Sequence, residues 1–370
     1  MIKVLVVDDS ALVRKLFGGV LAEESDITVA FARNGLEAIE QLDQFQPDVI
    51  TLDVQMPQMN GLECLDRIML QRPCPVVMVS AVTEEGAVAT LDALRLGAVD
   101  FVTKPTGAVS LKMQEFAPTF VLKIRAAVAA KLPASRRLKD RVQFRISGGA
   151  VPAARVKGRA TAHAMPEPPA EAAQGEGLVL VGTSTGGPPA LEALLTSLPA
   201  TFPWPILVAQ HMPATFTGPL SQRLNRICAL NVMEVGRPTP VTPGAVYIGR
   251  GDADMVVSRR SSALVVMASP AKSTYPWHPS TDRLVRTALD HVAAEQLIGV
   301  LMTGMGNDGA EAMTELRSRG GRTIAEAEET AVVWGMPGEL VRAGGATWTL
   351  PLPLIANRLQ RLVPAHAARP

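Results

Sequence analysis

Val4-Leu5-Val6-Val7-Asp8-Asp9-Ser10 opens the chain with four consecutive apolar residues that run into two carboxylates and a hydroxyl. An unbroken apolar run of this length suits a strand buried on both faces, and Ser10 is placed to cap a following helix. The strand signal recurs at 28–32, 49–52, 76–79 and 101–103, with helical patterns at 11–23, 35–44, 62–70 and 84–96 between them. Strands alternating with helices predict βαβ units and a parallel sheet covered on both faces.

Working outward, the alternation fails from 131 to 177 and then resumes. Lys131, Arg136, Arg137, Lys139, Arg141, Arg145, Arg155, Lys157 and Arg159 face only Asp140, and 160–169 is rich in Ala and Pro. This is the composition of a solvated basic tether. Strands are expected again at 178–181, 206–209, 232–235 and 298–302, with helices at 188–196, 218–226, 282–293 and 310–319 and a closing helix at 352–362. Short strand-like pieces between 245 and 267 predict a β-hairpin inserted in the second sheet. The division is therefore one α/β domain at 1–125, a linker at 126–176 and a second α/β domain at 177–370.

The bulk numbers agree with two globular domains. The 370 residues are too many for one ordinary core, and 47 % hydrophobic residues argue against disorder. A net charge of +1 gives no general argument for a nucleic-acid partner. No apolar run reaches the ~18–20 residues that span a bilayer. The N-terminus enters a strand-like run at once and lacks the architecture of a signal peptide. Cys64, Cys74 and Cys228 cannot all pair and show no metal-ligand spacing. A reducing cytoplasm with buried thiols is the expectation.

In an open parallel sheet, ligands gather beyond the carboxyl ends of the strands. Asp8 and Asp9 end the first strand and Asp53 the third, so the carboxylates converge if those strands are neighbours. A hard cation such as Mg²⁺ relieves their repulsion, and a carboxylate can serve as nucleophile toward phosphorus. Lys104 ends the fifth strand, where an ammonium can pair with an added phosphoryl group, and Ser80 offers a hydroxyl from the fourth. The set Val-Val-Asp8-Asp9-Ser, Leu-Asp53-Val-Gln55-Met-Pro57, Met-Asn60-Gly61, Ser80-Ala81 and Lys104-Pro105 resembles a response-regulator receiver domain, over about 1–125. The resemblance implies a flavodoxin-like sheet and Asp53 as phosphoacceptor. It also implies Asp9, Asp53 and the Gln55 carbonyl as Mg²⁺ ligands, with Asp8 helping from the outer sphere. Ser80 and Phe101 stand where that family has its hydroxyl–aromatic switch pair.

The second site is Gly182-Thr183-Ser184-Thr185-Gly186-Gly187, between a buried-type strand and a helix opened by prolines. A tight turn of this kind either exposes a nucleophilic serine or cradles a phosphate. The other strand ends tilt the reading toward the nucleophile. Residues 205–210 run into His211, and 298–302 run into Thr303-Gly304-Met305-Gly306-Asn307-Asp308-Gly309. A Ser, a His and an Asp on one rim are the inventory of nucleophile, general base and orienting acid. His278, in Trp277-His278-Pro279, competes as the base.

The order Ser, His, Asp departs from that of α/β-hydrolases. The motifs around Ser184, Gln210-His211-Met212-Pro213, Trp277-His278-Pro279-Ser280-Thr281-Asp282 and Met305-Gly-Asn-Asp308-Gly resemble the chemotaxis protein-glutamate methylesterase catalytic domain instead. That likeness covers about 177–363, and Met336-Pro337 and Gly344-Gly345 extend it. The two domains in this order resemble the chemotaxis response-regulator methylesterases. The resemblance implies a Rossmann-like catalytic domain that removes methyl esters from chemoreceptor glutamates and deamidates receptor glutamines. Ser184, His211 and Asp308 would form the triad, with Thr185 and Met305 as oxyanion donors and no cofactor for hydrolysis. Partners would be chemoreceptors and a chemotaxis histidine kinase, in the cytoplasm. Rival readings are a regulated hydrolase of another ester or amide and a phosphorylation-driven binding module. A transcription-factor output fits least, since the second half has no compact helix-turn-helix unit.

Overall fold

The apolar runs at 4–7, 49–52 and 76–79 are fully or almost fully buried, which two-sided helix cover requires. The computed structural model describes residues 1–105, 109–132, 177–260 and 263–363, so most of the predicted tether lies outside the described residues. The first half runs β1 (Ile2–Val7), α1 (Ala11–Ala22), β2 (Ile27–Ala32), α2 (Gly35–Gln44), β3 (Val49–Asp53), α3 (Gly61–Gln71), β4 (Val76–Ser80), α4 (Glu84–Leu96), β5 (Asp100–Thr103) and α5 (Val109–Val128). Its five strands are all parallel, in the order β2-β1-β3-β4-β5. β1 lies between β2 and β3, so the chain reverses its direction of winding there and the first and third strand ends meet. Ser10 caps α1 by accepting the Val13 N–H at 3.4 Å.

The second half runs β6 (Leu178–Thr183), α6 (Gly187–Leu195), β7 (Ile206–Gln210), α7 (Ala214–Ile227), β8 (Asn231–Val235), β9 (Thr239–Pro240), β10 (Ala245–Gly249), β11 (Ala253–Arg260) and β12 (Ala263–Pro270). It continues through α8 (Thr281–Leu289), β13 (Leu297–Leu301), α9 (Ala310–Ser318), β14 (Arg322–Glu326), α10 (Met336–Arg342), β15 (Trp348–Leu350) and α11 (Leu352–Leu362). Seven strands form a parallel sheet in the order β15-β14-β13-β6-β7-β10-β8. The expected hairpin is β11–β12. It pairs with β9 in a separate antiparallel sheet, while the strand-like piece ahead of it joins the parallel sheet as β10. β6 lies between β13 and β7, so the turns after these three strands share one rim.

The halves touch along α4, which packs on α6 and α7. Arg223 of α7 joins Asp92 of α4 at 2.8 Å and also binds Glu192 of α6. Phe101 of β5 lies against Phe216 of α7 with ring centroids 4.3 Å apart.

Candidate functional site

The turn after β6 is forced open by glycine. Gly186 has φ +77°, in the left-handed region that side chains avoid. A Cβ at Gly304 would stand 2.8 Å from the Ser184 Cβ, so the β13 turn can approach the serine only without a side chain there. Ser184 N donates to Thr303 O at 3.0 Å and His211 N donates to Thr183 O at 3.0 Å, knitting the three turns together.

Ser184, at 7 % exposure, sits at this rim with Thr185 and Met305 buried beside it. His211 Nε2 meets Asp308 Oδ2 at 2.8 Å, and its Nδ1 is buried with no hydrogen-bond partner among the described residues. The indole of Trp277 stacks on the imidazole, centroids 5.7 Å apart and planes 10° apart. Asp308 lies at the N-terminus of α8. It accepts Thr281 N at 2.6 Å, Asp282 N at 3.1 Å and the Ser280 hydroxyl at 2.9 Å. Burial works to raise its carboxyl, but the His211 hydrogen bond and charge, with those N–H donors, hold it below the usual carboxylate range. His278, the sequence competitor, meets Asp254 through Nδ1 at 2.8 Å.

Two supporting residues had no role in the sequence reading. Gln210, 1 % exposed, donates its amide to Ser184 O at 3.0 Å and to His211 O at 3.1 Å, so one side chain ties the serine backbone to the histidine backbone. Glu326, fully buried at the end of β14, accepts Thr303 N at 2.8 Å and the Thr330 hydroxyl at 2.9 Å. The available signal was position: each is a polar residue at the last buried place of an apolar run.

At the first sheet, Asp8, Asp9 and Asp53 offer oxygens within 4.8 Å of one another. Lys104 Nζ stands 3.0 Å from Asp8 and 2.7 Å from Asp53. Burial pushes the Asp53 carboxyl up to about 6, with the Asp8 charge adding and Lys104 opposing. Asp9, Asp53, Gln55 and Lys104 line a cavity of about 300 Å³. This all-oxygen acidic set fits a hard divalent cation, and Gln55, exposed at the cavity edge, is placed to add a carbonyl. The Ser80 hydroxyl donates to Gly86 O at 3.1 Å, toward α4.

The two domains meet beside Ser184. The Thr185 hydroxyl, next to Ser184, donates to the carboxylate of Asp100 on β5. Asp100 also accepts Lys123 at 2.8 Å. Lys131, just past α5, donates its N–H to Val332 O at 3.1 Å and pairs with Glu328 at 2.8 Å.

Comparison with known proteins places both halves. Residues 179–359 match the family model for CheB methylesterase, and 4–114 match that for the response regulator receiver domain. A protein-glutamate methylesterase/protein-glutamine glutaminase 2 of Rhodopseudomonas palustris is 56 % identical over 358 residues, covering 96 % of each chain. One from Rhodospirillum rubrum is 49 % identical over 359 residues, covering 97 % of this chain and 95 % of the relative. The crystal structure of the Thermotoga maritima CheB methylesterase catalytic domain is 35 % identical. It covers 51 % of this chain and 100 % of that one, with a TM-score of 0.49.

Proposed function

This chain belongs to the CheB methylesterase family, and from that premise we propose that Ser184, His211 and Asp308 are its catalytic triad and Asp53 its phosphoacceptor. The enzyme is a protein-glutamate methylesterase and glutaminase carrying a receiver domain. The observation that carries the residue assignment is the His211–Asp308 contact at 2.8 Å on the rim that also holds Ser184.

With Nε2–H given to Asp308, Nδ1 is the basic nitrogen of His211. Ser184 Oγ attacks the carbonyl carbon of a glutamyl methyl ester while Nδ1 takes the hydroxyl proton. The backbone N–H groups of Thr185 and Met305 receive the developing oxyanion, each worth about 3–4 kcal/mol of barrier in sites of this type. Collapse breaks the C–OCH₃ bond, and the imidazolium returns the proton to the leaving methanol. Water, deprotonated by the same nitrogen, then frees the glutamate from Ser184. A glutamine amide follows the same path with ammonia leaving, and neither path needs a cofactor.

In the receiver, Asp9, Asp53 and the Gln55 carbonyl would hold Mg²⁺, with Asp8 in the outer sphere. The bound cation supplies charge neutralisation for an incoming phosphoryl group. Asp53 is the nucleophile toward phosphorus, Lys104 pairs with the phosphoryl oxygens, and Ser80 turns toward them. Phe101 follows Ser80 inward and leaves Phe216. The receiver in its unphosphorylated state packs over the Ser184 rim through Asp100, Phe101 and α4, which blocks a bulky receptor helix. The substrates are chemoreceptors and the phosphodonor is a chemotaxis histidine kinase, with the protein working in the cytoplasm. Among the described residues no helix is long and apolar enough to cross a membrane.

The test is methanol release from methylated chemoreceptor membranes, with and without a small-molecule phosphodonor. Release that rises with the phosphodonor and vanishes in Ser184→Ala is expected. Release by Ser184→Ala at the wild-type rate overturns the triad.

A further inference from the structure

Asp254 on β11 is fully buried, lies outside the triad, and has both carboxylate oxygens engaged. Oδ1 accepts Ser280 N at 2.8 Å and meets His278 Nδ1 at 2.8 Å, while Oδ2 pairs with Arg283 at 2.6 Å. Arg283, 8 % exposed, also donates to Pro270 O at 2.7 Å and to the Ser269 hydroxyl at 2.8 Å. One ion pair therefore fastens both strands of the hairpin to the start of α8.

Two of the Asp254 partners, His278 and Ser280, belong to the segment between β12 and α8. That segment delivers Trp277 onto the His211 ring and the Ser280 hydroxyl onto Asp308 Oδ1. A buried ion pair adds little net stability over apolar residues of equal volume, but it fixes directions, and the directions fixed here end on the base and on its orienting acid. Truncating one partner leaves the other charge buried and unpaired, so only an isosteric replacement separates geometry from folding.

We infer that Asp254, held by Arg283, is a positioning residue for ester hydrolysis: through His278 and Ser280 it sets the loop that seats Trp277 on His211 and anchors Asp308. The inference rests on the triad reading above and deepens it. It also gives His278 a part, as a strut held by Asp254 instead of a second base.

The experiment uses the full chain treated with a phosphodonor and a serine-directed phosphonate that labels Ser184. The label end-point counts intact sites, the labelling rate reports their reactivity, and methanol release from methylated receptor membranes gives kcat and KM. Asp254→Asn is expected to reach the wild-type end-point about tenfold more slowly, with kcat lowered by a similar factor and KM unchanged. Trp277→Ala, on a half-buried side chain, should show part of the same loss, and Trp277→Phe should recover most of it. A full end-point with a wild-type rate in Asp254→Asn overturns the inference. If Asp254→Asn gives no intact sites, Trp277→Ala and Ser280→Ala decide, and wild-type rates in both overturn it. Labelling and turnover that persist in Ser184→Ala would strike the triad reading itself, a failure distinct from that of Asp254.

Discussion

The Thr185 hydroxyl donates a hydrogen bond to Asp100, so the residue beside the serine of one domain is held by the last strand of the other. Asp100 is 6 % exposed and immediately precedes Phe101, whose ring is buried against Phe216. A hydrogen bond to a charged partner is worth about 1.5–3 kcal/mol, enough to hold a domain interface closed. Asp100→Ala should therefore raise methanol release by the unphosphorylated chain about tenfold and leave the phosphodonor-stimulated rate unchanged. An unaltered basal rate in the folded variant removes this contact from the gate.

Arg223 bridges the same interface, joining Asp92 of the receiver to Glu192 of its own domain. Its guanidinium side chain is only 13 % exposed, whereas Asp92 is 40 % exposed, so the cross-domain part of the bridge is open to screening by salt. Arg223→Ala should raise the basal rate a few-fold, and moderate salt should do the same to the wild type but not to the variant. Basal rates measured across a salt series check both arms.

Much of the fold and of the proposed chemistry was legible in the sequence because the residues concerned sit at or beyond the ends of apolar runs. Asp53 and Ser80 end strands of the first sheet and Asp8 and Lys104 follow two others, while Ser184, His211 and Asp308 lie beyond the ends of three strands of the second. Other parts were silent for physical reasons. β15 has three residues at a sheet edge, too few for any period to declare itself, and β14 ends in a buried glutamate that resembles the start of a loop. Asp254 stands two positions after Asp252 at the start of β11, and nothing local announces a partner 29 positions away at Arg283. The bond between Asp100 and Thr185 joins residues 85 positions apart on different domains, a relation only tertiary structure contains.

Asp308 is surrounded by donors from Ser280, Thr281, Asp282 and His211, which suits a carboxylate and not an amide. Asp308→Asn would turn one –NH₂ toward a donor or favour the wrong tautomer of His211. A loss of kcat on the order of 10³–10⁴ is expected, as for the equivalent change in serine triads. Because the folded carboxyl lies below its unfolded value, its contribution to stability is present above the unfolded value and is lost as pH falls through the folded one. Methanol release by the phosphodonor-treated variant is the measurement, and activity within tenfold of wild type would contradict the assigned role.

Burial pushes the thiols of Cys64, Cys74 and Cys228 up to about 12. The thiolate is the reactive form, so at pH 8 all three should react slowly with a disulfide reagent and rapidly after denaturation. A thiol titrated within minutes in the native chain would show that one of them is activated.

Asp282, whose backbone N–H donates to the Asp308 carboxylate, carries a penalty that can be removed. Burial raises its carboxyl to about 6, the Asp308 and Glu311 charges add to the rise, and Ala312 N and Arg286 oppose it. An acid whose folded pKa lies above its unfolded value near ~3.9 gives stability that is complete below that value and lost as pH rises through about 6. The rise of roughly two pKa units bounds the cost at neutral pH at about 3 kcal/mol, from which the favourable charge at the N-terminus of α8 subtracts about 0.3–1 kcal/mol. Asn keeps an oxygen for the Ala312 N–H, now 2.9 Å from Asp282 Oδ1, and leaves the backbone donor to Asp308 in place. Asp282→Asn should thus raise the thermal midpoint by a few degrees at pH 7.5, with the gain shrinking toward zero near pH 4. Thermal unfolding of both chains across this range decides the point, since an equal gap at every pH would mean that packing, and not the charge, separates them.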